Sequence, residues 1–339
     1  MGRAVTRDAR LLADALRDPA TTGMLDGEGW TALIAIARAE QLAGTLAHRL
    51  AGLPVPATVA RILAATRAAA EQGRMAALWE AEMARRALAP LGVPVLLLKG
   101  TAFIAAGLKA GAGRSIGDLD ILVPRDALDA VEAALIAAGW EWVKPDPYDD
   151  AYYRRWMHEL PPLIHRDRDR MIDVHHTILP LTARIRPDPI AMIAESAMLE
   201  NGLRIPSAND LIVHAAAHLL ADGDLAGGMR NLWDIHCLVD EFGTDGLAAR
   251  AAHHRLAGAV QRALRLSHAL YGTPIPAGWP VRNWTDALFL RRMLARDGWG
   301  RATRPATRMA FYVRSHGLRM PPAMLLRHLW TKWRGGHRG

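Results

Sequence analysis

"LLLKGTAFIAAGLKAGAGRSIGDLDILV", residues 96–123, is the stretch on which the fold turns. An apolar run ends in Lys99-Gly100-Thr101, a short helical segment and a glycine-rich loop follow, and two aspartates then stand inside a second apolar run. Side chains alternate along a strand, so Asp118 and Asp120 share one face while Leu119, Ile121 and Val123 take the other. Buried carboxylates are costly, and two together more so, unless a positive group neutralises them. Spaced one strand repeat apart, the pair suits a shared hard divalent cation. Ion pairs with arginines such as Arg114 would answer the charge problem equally well.

The neighbouring residues bear on that choice. "VPVLLLKG" reads as a short buried strand running into Gly100, and "TAFIAAGLKA" as a helix with Thr101 in its first turn. Glycine there permits close backbone approach, and first-turn amides with the Thr101 hydroxyl face an anion. Lys99 or Arg114 would neutralise phosphate oxygens. Further on, "DLDILVP" is a strand stopped by Pro124, and "RDALDAVEAALIAAGW" is an amphipathic helix ending before Gly139. After a polar loop rich in tyrosine and aspartate, "HELPPLIH" and "RMIDVHHTIL" flank "RDRDR" as an antiparallel hairpin. That hairpin carries a third carboxylate, Asp173, and His175 on the same face. An anion cradle beside three acids points to metal-bridged phosphate, the setting of phosphoryl or nucleotidyl transfer.

The ordered set "LLKGTAF … GRSIGDLDILV … IDVHH" resembles the DNA polymerase β nucleotidyltransferase superfamily. Within it the chain is most similar to a bacterial group of uncharacterised nucleotidyltransferases, related to the abortive-infection toxin nucleotidyltransferases. The resemblance is strong over about 93–180 and weaker in "LIVHAAAHLL" and "MRNLWDIHCLVD". It implies that Asp118, Asp120 and Asp173 are the catalytic, metal-binding acids and that Gly100 and Thr101 hold nucleotide phosphates. Lys99, Arg114, Ser115 and His175 match recurrent residues of the narrower group and are taken as nucleotide-binding. Implied cofactors are Mg²⁺ or Mn²⁺ with an NTP, ATP first among them, and the acceptor is a small molecule or protein. The single glycine before Thr101 and the long gap from Gly100 to Asp118 depart from the superfamily pattern. Two alternatives compete: a non-catalytic nucleotide-binding scaffold and an RNA-modifying nucleotidyltransferase.

Outside this segment, residues 8 to about 90 read as helices throughout, with breaks at "DPATTG" and "LPVPA". Helices return from about 188, opened by an N-cap at Ser207, three residues before Asp210. The expected fold is α+β: a small mixed-sheet core at 91–185, between a helical region at 1–90 and another at 186–339. His214 and His218, one turn apart, read as a structural or substrate-contacting pair rather than a zinc protease motif, whose glutamate is absent. Arg230 and Asp234 read as a helix-surface pair.

With 51% hydrophobic and 22% charged residues the composition is that of a globular protein. One cysteine, Cys237, excludes an internal disulfide, and a reducing cytoplasm is the simplest compartment. The start lacks the apolar core of a signal peptide, and no window approaches a membrane span. Net charge is +8, and its excess lies beyond Arg291, where Asp297 is the one acid. That tail reads as a solvated basic face, with nucleic-acid binding a less favoured role; Trp330 and Trp333 among its cations leave room for transient surface binding.

Overall fold

The computed structural model describes residues 8–143 and 147–319. Four helices open the chain: α1 (Arg10–Arg17), α2 (Gly27–Ala39), α3 (Ala43–Arg49) and the long α4 (Ala57–Leu88). Asp26 caps α2, accepting from the Gly29 amide at 2.7 Å. Helical periodicity predicts one helix over 29–53, yet the chain breaks between α2 and α3. Gln41 adopts a left-handed conformation (φ 56°) and the Leu42 amide reaches back to the Ala37 carbonyl at 2.7 Å. This is a helix-ending motif usually built on glycine.

The central segment runs β1 (Leu96–Leu97), α5 (Lys99–Ala105), β2 (Asp118–Leu122), α6 (Leu128–Ala137), β3 (Trp140–Trp142), α7 (Pro147–Trp156), β4 (Leu163–His165) and β5 (Met171–His175). The strand–helix–strand order and the β4–β5 hairpin agree with the sequence reading. Two elements do not. The stretch after Gly139 forms edge strand β3, paired antiparallel with β4, and the tyrosine-rich "loop" contains α7. Three residues are too few to show alternation, and α7 is a mostly polar helix.

The remaining elements are α8 (Pro189–Ala194), β6 (Ala197–Met198), β7 (Arg204–Ile205), α9 (Ala208–Ala217), α10 (Gly228–Phe242), α11 (Leu247–His253), α12 (Ala257–Tyr271), α13 (Asp286–Met293) and α14 (Pro305–Arg319). Ser207 caps α9 as expected. The uniformly helical reading beyond 188 is corrected by the β6–β7 hairpin, which extends the sheet. Its strand order is β3-β4-β5-β2-β1-β7-β6. A second helix break falls at Arg255 (φ 58°), separating α11 from α12. The expected tail beyond residue 319, including Trp330 and Trp333, lies outside the described residues. Among the described residues no helix is long and apolar enough to cross a membrane.

The architecture is α+β, with helices flanking a mixed sheet. Parallel β2 and β5 form its centre, in the register Asp118↔Met171, Asp120↔Asp173 and Leu122↔His175. Long α4 packs on β2 and, with its Ala81 and Ala84, faces Leu97 and Ile121. Leu96, Leu97, Leu98, Ile121 and Leu122 are fully buried; each contributes roughly 1.5–3 kcal/mol of transfer free energy. The apolar side of β2 is thereby sealed, and the acidic side is left for chemistry. Helices α9, α10 and α12 pack together, and α1 packs on α12.

Candidate active site

Pairing of β2 with β5 brings three acids together. Asp118, Asp120 and Asp173 offer one carboxylate oxygen each, all within 4.8 Å of one another. Neighbouring residues in parallel register point to the same side of a sheet, so Asp120 and Asp173 meet because their strands align in this register. Asp118 is exposed, Asp173 intermediate and Asp120 buried.

Asp120 is the anchor. Its Oδ1 accepts from Lys99 Nζ at 2.6 Å and from His175 Nε2 at 3.0 Å. Burial by itself would raise its pKa, but Lys99 and then His175 outweigh it and hold the carboxyl well below the usual range. The Lys99 ammonium is pushed down by burial yet pulled up more strongly by Asp120, so it stays charged. Lys99 adopts a left-handed backbone conformation (φ 48°) at the β1–α5 junction. A non-glycine residue in that region is strained, and such strain gathers at functional sites.

The other two acids behave oppositely. Asp173 is pushed up to about 7, by burial first and then by Glu159 and Asp120. Asp118, though exposed as a residue, is raised by partial desolvation of its carboxyl and by the Asp120 charge beside it. The site therefore holds one firmly ionised carboxylate beside two that resist ionisation without a further positive charge.

Of the residues singled out in the sequence, Lys99, Asp118, Asp120, Asp173 and His175 converge here. The others sit differently. Gly100 makes room for the protein itself, because a Cβ there would run into Arg114 Nε and Ile116 Cδ1. Thr101 is buried. Ser115 is exposed on the loop leading to β2. Arg114 turns from the acids to Asp234 on α10, with its guanidinium 5.4 Å from the Phe103 ring centre. The groups bonded to Asp120 are thus Lys99 and His175, and the alternative in which Arg114 pairs with the two acids does not hold, because Arg114 is taken by Asp234.

Arg230 and Asp234 are not a surface pair. Both are buried, and Arg230 also reaches the Gln41 carbonyl at 2.8 Å and Thr45 Oγ1 at 2.7 Å, tying α10 to the α2–α3 corner. His214 and His218 line a small cavity with Lys99, Phe103, Arg114, Asn231 and Asp234. Burial drives His214 well below its ordinary pKa and His218 down to about 4, so both are neutral. Both share that cavity with Lys99.

Two residues in the site went unread in the sequence: His158 and Glu159. Glu159 pairs across an isolated bridge with His175, and its Oε2 lies 3.4 Å from His175 Nδ1. The segment "MHELPP" carries no periodic signal; its one hint is an acid and an imidazole just before a proline pair.

Comparison with known families bears on what this arrangement does. The model of a family described as uncharacterised nucleotidyltransferase matches residues 26–272. The match takes in α2, α3 and α4, well before the motif segment on which the resemblance rested. No curated protein matches the chain.

Proposed function

The chain belongs to the uncharacterised nucleotidyltransferase family, and from that premise we propose that it moves a nucleoside monophosphate, AMP from ATP in the first instance, onto a hydroxyl or phosphate of an acceptor. The acceptor oxygen bonds to the α-phosphorus, the α–β bond breaks, and pyrophosphate leaves.

The observation that carries this reading is the convergence of Asp118, Asp120 and Asp173 from adjacent parallel strands. An all-oxygen donor set with one ionised member and two whose charges repel fits a hard divalent cation, Mg²⁺ or Mn²⁺. Asp118, Asp120 and Asp173 would hold it, and when bound it supplies positive charge against the triphosphate and the acceptor oxygen. The chain's own groups do the rest. Asp120, held ionised by Lys99 and His175, keeps the pair oriented. Lys99 adds positive charge for phosphate oxygens, with Gly100 and Thr101 beside it at the start of α5. Asp173, once ionised, takes the proton from the acceptor hydroxyl.

The test is incubation of the protein with each labelled NTP, Mg²⁺ or Mn²⁺ and cell extract, alongside Asp118→Ala. Asp118 is exposed, so this variant should fold. Wild type should label an acceptor fraction, and the variant should lose at least two orders of magnitude. Equal labelling by both would remove the mechanism. Nucleotide binding without labelling would favour the scaffold reading.

A further inference from the structure

Beside the three acids lies a second cluster of different chemistry. His158, Glu159 and His175 each offer a ligand atom within 4.8 Å of the others. Glu159 Oε2 stands 3.4 Å from His175 Nδ1 and 3.5 Å from His158 Nε2. Ligands around a tetrahedral zinc with bonds of 2.0–2.1 Å are about 3.3 Å apart, so these separations already approximate the edges of such a site.

His175 is 2% exposed and its Nδ1 has no hydrogen-bond partner; His158 Nδ1, also buried, has none either. His175 Nε2 is committed to Asp120 Oδ1 at 3.0 Å. Nδ1 is therefore the ring nitrogen left over, and it faces Glu159 Oε2. A metal-bound histidine commonly has its non-ligating ring nitrogen bonded to a carboxylate, the relation that His175 Nε2 has to Asp120. Burial, first of all, holds His158 well below the ordinary histidine pKa, in its neutral, ligating form.

We propose that His158, Glu159 and His175 form a zinc(II) site with a fourth, open position, adjacent to the carboxylate triad and joined to it through Asp120. Two nitrogens and one carboxylate suit a borderline-soft ion, whereas the all-oxygen triad suits a hard one, so the two clusters select different metals. Zinc bound here fixes His175 as the tautomer that donates to Asp120, and offsets the Glu159 charge that opposes ionisation of Asp173. The proposal does not depend on nucleotidyl transfer.

The full chain, stripped with chelator, is titrated with Co²⁺ as a visible-absorbing probe, and Zn²⁺ then displaces it. Wild type should bind one equivalent at this site. His158→Ala should weaken binding at least tenfold, and Asp118→Asn should leave it within threefold. Glu159→Gln provides a second ligand variant should His158→Ala fail to fold. Wild-type affinity in both ligand variants would mean adventitious binding elsewhere and overturn the site. Loss of binding in Asp118→Asn would place the ion in the acidic triad and overturn it too, as would no binding by wild type. The nucleotidyltransfer reading fails on a separate outcome, equal labelling by Asp118→Ala.

Discussion

Asp173 is the residue on which the site's pH behaviour depends. Its carboxyl is pushed up to about 7, by burial and by the acids around it. A carboxyl with a raised folded-state pKa binds its proton more tightly in the folded protein than in the unfolded chain. The metal-free protein therefore loses stability as pH rises from about 4 through 7. Asp173→Asn should remove that loss. It is expected to stabilise the metal-free protein by up to about 4 kcal/mol at pH 8, with the gain shrinking toward pH 4. Denaturant melts at several pH values measure this, and a pH-independent effect would refute the assignment. Metal binding must also displace the proton, so Mn²⁺ should raise Tm more at pH 8 than at pH 6. Equal shifts at the two values would place the ion away from Asp173.

Among the elements, helix boundaries separate what is local from what is not. Ser207 was legible as a cap because its hydroxyl and the Asp210 amide are three residues apart. The breaks at Gln41 and Arg255 were not. Neither is glycine or proline, and both interrupt continuous apolar periodicity. Each break leaves a leucine amide bonded back over five residues, Leu42 to Ala37 and Leu256 to Ala251, at 2.7 Å. The left-handed residue is exposed in both cases, so its side chain adds little to offset the conformational cost. Gln41→Gly and Arg255→Gly should each raise stability by about 0.5–1 kcal/mol, read as a higher urea midpoint. A fall in midpoint would show that those side chains contribute contacts of their own. Lys99 shares the conformation but not the freedom to change, since its side chain neutralises Asp120.

At the scale of the whole molecule, the N-terminal helices are built into the chemistry-bearing half. Asp234 on α10 receives Arg114 from the loop before β2 and Arg230 from its own helix, and Arg230 reaches the α2–α3 corner. Backbone contact reinforces this: a Cβ on Gly44 of α3 would collide with the Gly113 carbonyl of the same loop. Asp234→Ala would remove the carboxylate that Arg114 and Arg230 share in a buried setting. It should cost roughly 3–5 kcal/mol in chemical denaturation; a loss under 1 kcal/mol would show that the network is incidental. A family match beginning at residue 26 agrees with this dependence on the N-terminal helices.

The chain's own order of residues determined whatever rests on neighbours. Alternation in "DLDILV" put Asp118 and Asp120 on one face, and helical spacing marked most helices. The "RDRDR" turn marked the β4–β5 hairpin that carries Asp173. Tertiary structure decided which remote groups meet. It aligned Asp120 with Asp173, brought His158 and Glu159 to His175, gave Arg114 to Asp234, and added the two-residue strands β6 and β7 to the sheet edge. The physical reason is the range of the forces that choose. Periodicity and capping act within one or two turns of chain and leave a local trace. Ion pairs, parallel register and the ends of marginal helices are selected by packing between segments that no local pattern connects.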